Sequence, residues 1–225
     1  DWIPVIDKLD RVVEAKEVME FIRSNDSRTK YDIGMESPVD YIPAKRIALP
    51  VDKDAAIASG IVKESDRDLM VDTVYIELKK SSLSRSELML LDMFAHFDWK
   101  RPIYFTQAYM LNNFSLVDYL QFDGYAYRFV PILTPLKDSW EVGRVDADYA
   151  YDVLMNKTKH GGISNPNVYV DSFMHHNIMV ARTREAFARV AKQYILNGNY
   201  AKAEELLDEK RPYFNVMLDP KEDWA

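Results

Sequence analysis

The side chains that most often perform chemistry are few in this sequence and poorly grouped. Its four histidines are His96, His160, His175 and His176. His175 and His176 are adjacent, so on a helix they diverge by about 100° and do not share a metal as an i, i+4 pair does. His160 lies in a glycine-containing loop, and structural or solvated roles fit all four better than a metal site. Acidic residues cluster twice, as Asp66, Asp68 and Asp72 and as Asp146, Asp148 and Asp152. An Asp-x-Asp spacing can hold a divalent ion, yet Asp146 and Asp148 also stand where a helix begins, and there a carboxylate accepts backbone N–H groups and meets the positive end of the dipole. Capping is the preferred reading, and Asp66-Arg67-Asp68 reads as a solvated loop. No Gly-x-Ser-x-Gly elbow, phosphate loop, dinucleotide fingerprint or His-Glu-x-x-His helix occurs. The chain also has no cysteine, which removes thiolate zinc sites, a disulfide scaffold and a cysteine nucleophile. No catalytic residue, metal ligand or cofactor is assigned, and the chain alone is not read as an enzyme.

The most distinctive segment is Trp99-Lys100-Arg101-Pro102-Ile103-Tyr104-Phe105. One reading makes it a helix-to-strand connection with Trp99 as a lid on the core and both cations at the surface. The other sets an aromatic and two cations at the entry of a strand, able to meet a sugar face or an anionic phosphate. Tyr125, Tyr127 and Arg128 form a similar group. The candidate binding residues are therefore Trp99, Lys100, Arg101, Tyr104, Tyr125 and Arg128, with core packing the competing role for each group.

Charge narrows the partners. Lys plus Arg number 29 against 36 Asp plus Glu, a formal net charge of −7. Nucleic-acid binders show a basic stripe, because phosphate neutralisation supplies most of their affinity. Here the densest basic runs are the pairs Lys100-Arg101 and Lys79-Lys80, so nucleic acid is not expected as a partner. No apolar run reaches the roughly 18 residues that a membrane helix requires. The start at Asp1-Trp2, with neither an initiator Met nor a signal peptide, reads as a boundary inside a longer polypeptide or a processed end, and the close at Asp219-Pro220-Lys221-Glu222-Asp223-Trp224-Ala225 reads as a second cut.

The elements that would position these residues follow from periodicity. Residues 5–23 show an apolar stripe at helical spacing through Ile6, Leu9, Val13, Val18 and Ile22. Residues 46–51 and 73–78 alternate as strands, with a short helix over 52–59 closed by Gly60. Ser84-Arg85-Ser86-Glu87 is a capping box opening a helix over 87–97, apolar almost all round and so expected to be buried on most faces. Residues 103–106 read as an interior strand, 115–121 as a helical turn, 125–132 as a strand and 147–157 as a helix. A loop over 160–166 divides a mixed α/β domain, residues 1–165, from a helical one, residues 166–225. In the latter, helix runs from residue 173 onward, and Ala191, Tyr194, Gly198, Tyr200 and Ala203 match one tetratricopeptide-like repeat. Gly198 ends its first helix, Tyr200 packs back across the turn, and Ala203 lets the two helices approach. A single repeat does not stand alone, so this hairpin packs on the α/β part or continues into further repeats. The fold class is α/β mixed (α+β): a small sheet with packed helices, then the hairpin.

Three blocks resemble a known family. They are Tyr41-Ile42-Pro43-Ala44-Lys45-Arg46-Ile47 with Leu49-Pro50-Val51, then Leu91-Asp92-Met93 through Trp99-Lys100-Arg101-Pro102-Ile103-Tyr104-Phe105, and Asp118-Tyr119-Leu120-Gln121-Phe122-Asp123-Gly124-Tyr125-Ala126-Tyr127-Arg128-Phe129-Val130-Pro131. Together they resemble the C-terminal soluble region of bacterial membrane proteins related to protein O-mannosyltransferases, the domain of unknown function 2723. That resemblance implies a multispanning glycosyltransferase of the bacterial inner membrane whose catalytic membrane half is absent from this chain. This part would lie on the periplasmic side as an accessory domain, with the transmembrane half of its own parent, and an acceptor protein or glycan, as partners. It also implies tetratricopeptide-like helices toward the C-terminus. Asp72-Thr73-Val74 fits a short acceptor pattern for O-glycosylation in such bacteria. The alternative is a non-catalytic protein-interaction module that binds through the helical hairpin.

Overall fold

The computed structural model describes residues 2–9, 11–34, 36–135, 141–159, 167, 173 and 181–216. They form a mixed α+β protein whose chain divides into two compact units, Asp1–Leu120 with Arg128–Gly143, and Gln121–Tyr127 with Arg144–Ala225.

The strands of the first unit are β1 (Trp2–Pro4), β2 (Val13–Glu14), β3 (Lys30–Tyr31), β4 (Val39–Asp40), β5 (Arg46–Pro50), β6 (Thr73–Glu77), β7 (Ser82–Ser84) and β8 (Tyr104–Phe105), and its helices are α1 (Ala15–Arg23), α2 (Lys53–Ala58) and α3 (Arg85–Ala95). The central sheet has the order β2-β5-β6, with β2 parallel to β5 and β6 antiparallel to it. Alternation fixes its register. Ile47 opposes Ile76 and Leu49 opposes Val74 on the core face, while Arg46 and Glu77 oppose each other outside. Strands β1 and β7 pair antiparallel, as do β3 and β4.

Helix α2 opens where Asp52 accepts from the Ala55 N–H at 2.9 Å and closes at Gly60, φ +75°. Ser84 and Glu87 form the expected capping box at the start of α3. Two expectations need correction. Residues 5–23 do not make one helix: Val5 bridges to Ile42, the Leu9 N–H donates to Pro43 O, and Val13 pairs with Ile47, so helix begins only at Ala15. Long-range strand pairing outcompetes the 3.6-residue stripe there. Helix α3 is also not buried on most faces, because only Leu91, Phe94 and Ala95 are buried while Met89 is 67% exposed. The strand at residues 103–106 shortens to β8, with Tyr104 exposed, and 3-10 turns at Ala108–Phe114 and Val117–Tyr119 replace the helical turn at residues 115–121.

The second unit contains the last residues of β9 (Leu120–Phe122), the first of β10 (Tyr127–Phe129), β11 (Arg144–Val145) and helices α4 (Ala147–Asp152), α5 (Ala181–Leu196) and α6 (Tyr200–Val216). Gln121 and Phe122 pair in parallel with Arg144 and Val145. Asp146 caps α4 by accepting from the Tyr149 N–H at 3.1 Å, as its spacing suggests. The hairpin forms, with α5 and α6 packed together through Ala191, Tyr194, Ala203 and Leu206, all buried. Gly198 sits at φ +76°, a conformation that costs a side-chain-bearing residue about 1–2 kcal/mol. It lets the Asn199 N–H donate to Tyr194 O at 2.8 Å. Tyr200 departs from expectation. It is 68% exposed and does not pack back across the turn. The loop at residues 160–166 and His160, His175 and His176 lie outside the described residues.

Candidate functional site

The corner between α3 and β8 carries the segment singled out by sequence. Trp99 has φ +59°, a left-handed conformation rare for a bulky residue, which persists only where surrounding contacts over-determine it. Its indole N–H donates to Pro50 O at 2.9 Å, and its carbonyl accepts from the Ser59 hydroxyl at 2.8 Å. The ring stacks on Phe129 with centroids 5.6 Å apart and meets Phe97 at 4.5 Å. Trp99 is 1% exposed, so neither ring face is offered to solvent. Arg128 is 5% exposed and donates to Gly60 O at 2.7 Å. Trp99 and Arg128 thus converge on the consecutive residues Ser59 and Gly60 and fix the end of α2.

The remaining candidates separate. Lys100 and Arg101 are exposed, and Tyr104 is 44% exposed. Asp98 accepts the Lys100 N–H at 3.1 Å, which holds its carboxyl below the usual range, and the Lys100 ammonium lies 3.5 Å from it. Tyr125 belongs to the second unit, where its hydroxyl donates to Thr183 at 3.3 Å and burial pushes its phenol pKa up.

Trp99 and Lys100 lie at an open cleft of about 740 Å³, and Lys16, Pro50, Asp52, Lys53, Asp54, Arg67, Asp72 and Phe97 contribute to its walls. Ion pairs fence it: Lys53 with Asp72 at 2.7 Å, Arg67 with Asp54 at 2.8 Å, and Arg67 with Glu64 at 2.7 Å. The Arg67 guanidinium, hydrogen-bonded to Glu64, holds that carboxyl below its normal range. Asp66-Arg67-Asp68, expected in a loop, lies in a 3-10 turn spanning Glu64–Leu69. Sequence reading missed Lys16, Lys53 and Asp54, since their convergence depends on contacts between distant elements, and the only available hint was the charge density around α2.

A second hollow, about 480 Å³, is lined by Trp2, Ile22, Val39 and Leu88 and rimmed by Arg85 and the Lys30–Asp40 ion pair. Near it Glu87 gathers donors. Burial opposes its ionisation, but hydrogen bonds from Lys80, the Ser84 N–H and hydroxyl, and Asn113 outweigh that and bring its pKa to about 2. Among the described residues no three His, Asp or Glu side chains converge as metal ligands, and no helix is long and apolar enough to cross a membrane.

Residues 4–149 match a family model described as TMEM260-associated domain 2, a span that includes this whole corner. No curated protein and no solved structure matches the chain.

Proposed function

Because the chain belongs to the TMEM260-associated domain 2 family, we propose that it is the extracytoplasmic accessory domain of a multispanning membrane glycosyltransferase of the protein O-glycosylation type. The observation that carries this reading is the family match itself, which covers well over half the chain and ties it to a TMEM260-type membrane protein. The glycosyl-transfer part is supported by the three sequence blocks resembling the O-mannosyltransferase-related family, all of which fall within the matched span. The proposed placement is on the periplasmic side of a bacterial inner membrane, against the parent's own transmembrane half. Lys100, Arg101 and Tyr104, exposed beside the buried Trp99, are the proposed contact residues for acceptor protein or glycan. Arg128 and Trp99 would act by fixing that corner.

The test uses membranes carrying the intact parent or a parent lacking residues 4–149. Transfer of radiolabelled sugar from the endogenous lipid-linked pool to protein is the readout. Loss of about tenfold or more on deletion is expected, equivalent to about 1.4 kcal/mol of barrier. Unchanged transfer, or a reading frame without membrane-spanning segments, overturns the proposal.

One observation favours the alternative, a protein-interaction module. Ile195, Leu196, Tyr200 and Leu207 are 47%, 69%, 68% and 42% exposed on the hairpin, apolar side chains that a partner could cover. A partner captured by the chain and lost on Tyr200→Glu, with transfer unaffected by the deletion, is the outcome this second reading requires.

A further inference from the structure

We infer that the outer face of α3 is a site for a soft monovalent cation, Cu(I), held by the thioethers of Met89 and Met93 and the imidazole of His96. At about 3.6 residues per turn and about 1.5 Å of rise, positions 89, 93 and 96 fall within about 60° of arc and about 10 Å of axis. His96 stands at the C-cap, and its N–H still donates to Asp92 O at 3.1 Å, so it continues the helical path. Helix neighbours three and four apart are about 5–6 Å from Cβ to Cβ, a gap that the three rotatable bonds of methionine close. Both methionines lie on the surface, at 67% and 41% exposure, while Leu91, Phe94 and Ala95 supply the burial of α3. Their sulfurs are thus not committed to the core, as those of Met19 and Met70 are at 5% exposure each.

The histidine is set for ligation. Its Nδ1 lies 2.9 Å from Asp92 O and 3.3 Å from the Asp92 carboxylate. Both oxygens only accept, so Nδ1 carries the proton and, in the neutral ring, Nε2 carries the lone pair. The contact draws the ring back over the turn that holds Met93. Among the described residues Nε2 has no partner, and the side chain is 53% exposed. One ring nitrogen fixed on a carbonyl with the other facing outward is the arrangement that orients metal-binding histidines. The donor set then chooses the metal. Two thioethers and an imidazole suit Cu(I), whereas Mg(II) and Ca(II) take oxygen ligands and Zn(II) takes thiolate, imidazole or carboxylate. The carboxylate beside the ring, Asp92, already pairs with Arg23 at 2.8 Å. The chain has no cysteine to compete for a soft ion.

The experiment is a chemical-shift titration of the full chain, isotopically labelled at its methionine methyl groups. The probes are Ag(I), a redox-inert soft cation, and Cu(I) under anaerobic conditions, with Zn(II) and Mg(II) as contrasts. Ag(I) should shift the Met89 and Met93 methyls and the His96 ring protons together, with Kd of about 100 µM or tighter. Met110, 49% exposed but with no histidine at helical spacing, should stay unmoved as an internal control. Cu(I) should move the same signals, and Zn(II) and Mg(II) should leave the methyls in place. Met89→Leu and Met93→Leu nearly conserve volume, and each should weaken Ag(I) binding about tenfold with an unchanged urea midpoint. His96→Gln should weaken it as much, and that variant decides the matter if a leucine variant loses its fold. Shifts confined to other methionines, Ag(I) binding weaker than about 100 µM, Zn(II) moving the methyls as strongly as Ag(I), or binding unmoved by His96→Gln overturns the inference. None of these outcomes bears on the glycosyl-transfer reading, which stands or falls on the deletion in the parent.

Discussion

The two units hold their defining residues by different means. In the first, Trp99 is buried against three aromatic or backbone neighbours and its hydrogen bonds reach residues 40 and 49 positions away. In the second, Tyr194 is anchored at its tip, where its hydroxyl donates to Asp148 at 2.9 Å and the Lys202 ammonium joins the same carboxylate at 2.9 Å. Lys202 also lies over the Tyr151 and Tyr194 rings at 5.4 and 5.3 Å. The first arrangement excludes water, whereas the second keeps its charges wet, with the Asp148 and Lys202 side chains 70% and 41% exposed. Dry contacts that combine packing with a hydrogen bond should therefore dominate stability, and the wet network should matter mainly for how the helices are aligned.

Substitutions grade that contrast. Trp99→Ala should cost about 3–5 kcal/mol in urea unfolding, since it opens a cavity and leaves Pro50 O without its donor. A cost below about 1 kcal/mol would break the comparison. Glu87→Gln should cost about 2–3 kcal/mol at neutral pH. Its folded-state pKa lies near 2 against an ordinary glutamate value of 4.5, so the carboxylate's contribution is full above pH 4.5 and disappears as pH falls through 2. The wild-type and Glu87→Gln unfolding curves should accordingly converge over that window, and a pH-independent gap would contradict the assignment.

In the second unit Ala203→Leu should cost about 1–3 kcal/mol, because Ala203 is 3% exposed at the α5–α6 contact. Hydrogen exchange should show the loss concentrated in those helices. Tyr194→Phe should cost about 1 kcal/mol; its phenol pKa is raised by burial first and by Asp148 next, so the hydroxyl stays protonated and a donor at all ordinary pH. Lys202→Met should change stability by less than about 0.5 kcal/mol and leave the salt dependence of the unfolding midpoint only slightly smaller, since other exposed ion pairs remain. A larger loss would mean that the wet network behaves as the dry one does.

Local signals in the sequence carry through to the structure. The Ser84–Glu87 capping box, the Asp146 cap, the alternation in β5 and β6 and the glycine stop at Gly198 each depend on residues within a few positions, and all are present. Errors arose where distant partners decide. The stripe over residues 5–23 is helical by spacing, but Val5 and Val13 find strand partners at Ile42 and Ile47. The apolar content of α3 implied all-round burial, although Met89 and Met93 face solvent at 67% and 41% exposure. The same limit applies to the cleft. Trp99 and Lys100 stood out as a segment, but the grouping of Lys16, Lys53, Asp54 and Arg67 around them depends on α1, α2 and a 3-10 turn packing in space.

The left-handed backbone at Trp99 bears on the speed of recognition. Its indole, Ser59 and Pro50 fix the corner before any ligand arrives, so the neighbouring side chains stand on a preorganised frame. A partner meeting the proposed contact residues would order side chains but not the backbone, so association should not wait on a loop to close. Selectivity at such a surface is then expressed in how long a ligand stays.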